Sequence, residues 1–200
     1  MTRLIFAAAL LLGLHACSSE PAGAPDVAAG ATNESGTSPA PAARSPAPVT
    51  PAAATPSANM LTLAGLGALK IGAAVPAGSG WAERGAQIPG GCTTVSSPNF
   101  LGAHAIVEGG KVRRITVGER SDVKLVEGIG TGATEAAVRA AFPGFREERH
   151  EDVAAPAKYL TAPGATGDNP ALRFEIDANR KVSLIHVGTM PTLAYVEGCA

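Results

Sequence analysis

The sequence predicts an α+β domain of two tandem helix-plus-antiparallel-sheet repeats, preceded by a disordered linker, and three observations carry that expectation. Gly109-Gly110-Lys111-Val112-Arg113-Arg114-Ile115-Thr116-Val117-Gly118 matches Asn179-Arg180-Lys181-Val182-Ser183-Leu184-Ile185-His186-Val187-Gly188 at an offset of 70, each a turn followed by Lys-Val-x-x-Ile-x-Val-Gly. Self-similarity at a fixed offset marks repeated structural units. Thr134 stands before Glu135-Ala136-Ala137-Val138-Arg139-Ala140-Ala141-Phe142, an N-cap followed by a first-turn acid, and Pro143-Gly144 stops the helix. Leu172-Arg173-Phe174-Glu175-Ile176 alternates strictly, as a strand with one wet face does.

The chain begins MTRLIFAAALLLGLHACSS. Arg3 supplies a positive start, and the apolar run Leu4 to Leu14 is shorter than the roughly 20 residues that span a bilayer. Residues 1–16 therefore read as a secretory signal. Leu14-His15-Ala16-Cys17 resembles a lipobox, the site at which bacterial lipoproteins are acylated and cleaved. That resemblance implies lipidation of Cys17, an acyl anchor strong enough for stable membrane attachment. Ser18 and Ser19 follow, and the lack of Asp there implies sorting to the outer membrane, with the folded domain in the periplasm or at the cell surface.

Residues 17–59 form the linker. From Ser18 to Ala58 there is no aromatic residue, and Ala, Pro, Ser, Gly and Thr dominate. Such a stretch cannot bury enough apolar surface to offset its ordering entropy. As a flexible coil it has an r.m.s. reach of about 35–40 Å. The folded region is 60–200, with repeat units at about 60–122 and 124–199.

In the first unit Phe100–Glu108 and Lys111–Gly118 are predicted strands joined by the Gly109-Gly110 hairpin turn. Its helix is expected to be degraded, because Pro76, Gly78 and Gly80 interrupt the segment that should carry it. Leu69-Lys70-Ile71-Gly72-Ala73-Ala74-Val75 echoes Ile129-Gly130-Thr131-Gly132-Ala133-Thr134-Glu135 at an offset of 60. The shorter offset places an insertion at Thr161 to Pro170. The second unit carries the helix, then strands Ala157–Ala162, Ala171–Asp177 and Lys181–Gly188, with Asp177-Ala178-Asn179-Arg180 as turn chemistry.

Ile129-x-x-Gly132-x-Thr134-x-x-x-Val138 resembles the helix-start signature of small BamE-like envelope lipoproteins and of the tandem-repeat β-lactamase inhibitor proteins. Those folds lay a helix on an antiparallel sheet and bind another protein through the exposed sheet face or loops. The KIG and EGIG segments, a mid-domain cysteine and the terminal Glu197-Gly198-Cys199 also resemble an uncharacterised family of exported bacterial lipoproteins. Neither resemblance implies an activity of this chain.

Between Met60 and Ala200 there are 14 Lys and Arg against 14 Asp and Glu. Formal neutrality speaks against nucleic acid, which calls for a basic excess or stripe. Cys92 and Cys199 are an even pair in an exported chain, the pattern of a single disulfide. No Gly-x-Ser-x-Gly marks a nucleophile. If the strands of His104 and His186 were neighbours, their imidazoles could face each other as an acid/base or metal pair. Glu147-Glu148-Arg149-His150-Glu151-Asp152 reads as a solvated connection between helix and strand. Trp81, beside Glu83 and Arg84 in a glycine-rich stretch, suits an exposed binding hot spot with Arg84.

The expected function is a non-catalytic protein-binding module on a lipid-anchored stalk, with no cofactor, an envelope protein as partner and the membrane reached through Cys17. The alternative is a small envelope hydrolase or metal-binding protein using His104 and His186; a third reading is a structural spacer. Cys17→Ser should move the protein from the membrane to the soluble envelope fraction; continued membrane retention of that variant contradicts the lipid anchor.

Overall fold

The computed structural model describes residues 59–85, 87 and 90–199. The expected signal segment, Cys17 and the linker up to residue 58 lie outside the described residues. Four short strands come first: β1 (Met60–Thr62), β2 (Gly65–Leu66), β3 (Leu69–Lys70) and β4 (Ala82–Glu83). β5 (Cys92–Ser96), β6 (Ala103–Glu108), β7 (Lys111–Val117) and β8 (Lys124–Leu125) follow. After helix α1 (Glu135–Ala141) come β9 (Arg146–Arg149), β10 (Lys158–Thr161), β11 (Ala171–Ile176) and β12 (Val182–Gly188).

The main sheet has the order β4-β5-β6-β7-β12-β11-β10-β9, antiparallel throughout. Its centre is the pairing of the two Lys-Val-x-x-Ile-x-Val-Gly strands, with Ile115 opposite Val187 and Val117 opposite Ile185. Four strands fan out on each side of that seam. Gly188 is required there, since a Cβ would stand 2.3 Å from the Arg113 carbonyl oxygen. A second sheet, β3-β2-β1-β8, is small.

These strands correct the expected fold class. Among the described residues the chain is a β-sheet protein with one short helix, not two helix-plus-sheet repeats. The first half has no helix because Gly72, Gly78 and Gly80 take positive φ and Pro76 lies among them, so the segment turns repeatedly. The four-stranded sheet and a Trp81–Phe100 stack contribute to the core instead. β5 was missed although its Thr-Thr-Val run favours a strand. The run expected as a solvated connection begins as the edge strand β9, whose four charged residues, two of each sign, suit an exposed edge.

Side-chain parity divides the main sheet into two faces. Val95, Ala105, Ile115, Val117, Leu160, Phe174, Ile185 and Val187 belong to one buried core with Val138 of α1 and Leu61, Leu66 and Leu69 of the small sheet. Phe142 and Phe145 tilt onto Phe174 at 5.4 and 5.9 Å between ring centres. The helix starts where expected: Thr134 Oγ1 accepts from the Ala137 amide, and the Glu135 amide donates to the Arg180 carbonyl. Glu135 also takes Arg139 at 2.7 Å and Lys158 at 3.3 Å, tying α1 to β10.

After β12 the chain crosses β7 through a single 3₁₀ turn (Thr192–Ala194) and ends at β5, where Cys199 is disulfide-bonded to Cys92 with the Cα atoms 5.6 Å apart. The bond closes a loop of 107 residues. On the chain-entropy account, removing it costs up to about 4–5 kcal/mol. Cys92→Ser with Cys199→Ser should lower the urea midpoint and steepen the slope, because the uncrosslinked unfolded chain exposes more surface; an unaltered midpoint overturns the view that the bond restrains the unfolded chain.

Candidate functional site

The second face of the main sheet is polar. Strand register sets Arg173, His186, Thr116, His104 and Ser96 in one row across β11, β12, β7, β6 and β5. Thr116 lies between the two histidines. β7 separates their strands, so His104 and His186 stand about 10 Å apart at the usual strand spacing and do not face each other. Among the described residues no three His, Cys, Asp or Glu side chains gather in a way that could hold a metal ion.

Each charged group on this face has protein partners. Glu175 lies between His150 at 2.8 Å and His186 at 3.6 Å. His150 stacks on Tyr159 at 4.6 Å, and the Arg173 guanidinium lies 4.0 Å above the same ring while pairing with Glu148. Glu147, on the other face, pairs with Lys158 and Arg139. The carboxylates Glu147 and Glu148 of the acidic run thus meet cations of the protein itself.

Arg114 is 3% exposed, and its Nη1 donates to the Thr192 and Tyr195 carbonyls of the C-terminal segment. Burial lowers its pKa to about 10, with Glu175 opposing, so it remains a cation at neutral pH. Glu108 accepts from Thr192 Oγ1 at 2.8 Å and Tyr195 Oη at 3.4 Å. Residues 189–199 therefore strap this end of the polar face.

Thr116 Oγ1 lies 2.9 Å from His186 Nδ1, with Glu175 beyond the ring. Hydroxyl, imidazole and carboxylate are the parts of a nucleophilic triad. At 3.6 Å the carboxylate is beyond hydrogen-bond range, and Thr116 is 1% exposed, so no substrate carbonyl can approach its Oγ1. The arrangement serves packing.

One polar cleft, of about 420 Å³, opens at the rim of this face. It lies where β5 ends and β6 begins, and Arg84, Ser96, Ser97, Phe100, His104 and Arg120 are among its lining residues. Arg84 donates from Nε to the Ser96 carbonyl and from Nη2 to the Gly80 carbonyl, both at 3.3 Å. Neutral carbonyls fix the guanidinium, and among the described residues no carboxylate compensates its charge. Arg120 is brought in by the turn after β7. Gly102 permits this approach, since a Cβ there would lie 2.8 Å from the Ser121 amide nitrogen. Burial, then the charge of Arg114, holds the His104 pKa below its ordinary value, so the cleft's charge comes from the two arginines. Among the described residues no carboxylate lines it. Its chemistry is that of an anion acceptor.

The sequence-predicted residues divide accordingly. Arg84 and His104 meet in this cleft. Trp81 does not serve as an exposed platform: it is 5% exposed and stacked on Phe100 at 5.6 Å, and its Nε1 has no hydrogen-bond partner among the described residues. Arg120 was missed, because only the turn closing β7 carries it to β6. His186 lies inside the sheet face.

Burial, first, and the charges of Arg114 and Arg173 depress the His186 pKa to about 4 against Glu175, leaving a neutral ring at pH 7. Its ordinary value is 6.5. Between those values the unfolded chain binds a proton that the folded chain does not, so stability falls as pH falls, by about 3 kcal/mol in all. Burial raises the Glu175 carboxyl, but His186 and His150 outweigh it and hold it below 4.5, so its contribution is lost as pH drops through the folded value. Urea midpoints should decline from pH 7 to pH 4, with a shallower decline in His186→Asn. A flat profile contradicts the buried neutral ring. No protein-family model, curated protein or solved structure matches the chain.

Proposed function

We propose that this chain is a lipid-anchored cell-envelope lipoprotein whose folded domain is a non-catalytic binding module for an envelope protein. The observation that carries the reading is the cleft of Arg84, His104 and Arg120, in which two guanidinium groups face solvent with no lining carboxylate among the described residues. Arg84, placed by carbonyls rather than by an ion pair, keeps its charge and its Nη1 donors for an incoming acidic side chain or C-terminal carboxylate, and the exposed Arg120 adds a second guanidinium. Phe100 lines the same cleft and supplies an apolar surface beside them, the mixture on which interface hot spots are built. The lipobox and long linker fit a module held at the outer membrane and free to search its surroundings.

Affinity capture from detergent-solubilised envelope, with the full chain as bait, tests this. A stoichiometric partner should be recovered, and Arg84→Ala with Arg120→Ala should weaken its binding by at least about tenfold. Both residues are exposed, so the unfolding midpoint should stay in place. Capture indifferent to the double substitution and to added salt removes the cleft as the binding surface.

A further inference from the structure

A second hollow lies on the opposite, apolar side of the main sheet. Leu61 of β1, Leu125 of β8, Phe142 and Phe145 after α1, and Leu172 of β11 wall a pocket of about 410 Å³. That volume falls among ligand sites, roughly 300–1,000 Å³ and mostly apolar. Leu63 and Val126 border it and are 51% and 69% exposed, so apolar surface continues from the pocket out into water. Large aliphatic side chains left exposed beside an apolar hollow mark a binding surface.

We infer that this pocket takes one acyl chain of an ammonium-bearing membrane lipid. An acyl chain suits a hollow walled by leucine and phenylalanine. Charge selects the head group: among the described residues Glu127 is the one ionisable residue that lines the pocket, and no cation does. The carboxylate of a free fatty acid brings only repulsion there, whereas a zwitterionic head offers Glu127 its ammonium as counterion and turns its phosphate to solvent. Position agrees. The chain enters the domain at β1, so Leu61 and Leu63 of the pocket are among the first residues after the linker. The inference rests on the lipid-anchor reading for its supply of lipid, and on the pocket alone for its chemistry.

The test uses the full chain with Cys17→Ser, titrated with lysophosphatidylethanolamine and, separately, with laurate, and followed by calorimetry and native mass spectrometry. One lysolipid per chain is expected, with laurate at least about tenfold weaker. Leu63→Glu and Val126→Glu, both at exposed positions, should each weaken the lysolipid by about tenfold without moving the unfolding midpoint. Glu127→Gln should narrow the gap between the two probes. Non-saturable binding, stoichiometric binding indifferent to both glutamates, or laurate bound more tightly than the lysolipid overturns the proposal. So does an acylated wild-type chain that refuses the probe while the Cys17→Ser chain accepts it, since the occupant is then the chain's own acyl group. Membrane retention of the Cys17→Ser chain removes the anchor yet leaves a positive titration standing, so the two failures are distinguishable.

Discussion

The pairing of β7 with β12 sets the parity of the eight-stranded sheet, and the rest of the domain is arranged around it. Ile115 meets Val187 and Val117 meets Ile185, so both strands turn their branched side chains to the same face. A slip of one residue would send that row to the other face and bring Thr116, Arg114 and His186 into the core. The slip is opposed from both sides. The apolar row packs with Phe174 and Val138, and Gly188 leaves no space for any side chain against the Arg113 carbonyl.

Fixing the apolar row also fixes the polar one. Arg114 must then lie on the opposite face, where a buried guanidinium requires acceptors. Backbone carbonyls of residues 192 and 195 provide them, so the C-terminal segment is held by the cation it covers, and the Cys92–Cys199 bond pins its end to β5. Arg173, His150 and Tyr159 close the other end of the face through stacking and the pairing with Glu148 and Glu175. Buried ion pairs of this kind add little net stability, but removing one partner strands the other. This face therefore specifies structure over most of its area and meets solvent as a cationic cleft only at the rim, beside Arg84 and Arg120.

The two hollows follow from the same division. The cleft forms where polar-face residues reach the sheet end and a turn adds one more arginine. The apolar pocket forms where the short helix and the four-stranded sheet cover the opposite face incompletely. A longer helix in the first half would leave less need for that small sheet; Pro76 and the glycines around it exclude one.

Local signals in the sequence determined the strands Lys111–Gly118 and Lys181–Gly188, the Gly109-Gly110 and Asp177–Arg180 turns, and the Thr134 cap, because alternation, turn chemistry and capping are properties of adjacent residues. Cysteine parity pointed to the Cys92–Cys199 pair in the same way. Tertiary structure alone decided which strands became neighbours. That choice put β7 between His104 and His186, buried Trp81 against Phe100, drew the acidic run at 147 into an edge strand, and brought Arg120 to Arg84. The physical reason is that strand pairing is satisfied between segments distant in sequence. Its partners are chosen by which faces bury the most apolar surface together, a quantity no short stretch of residues contains.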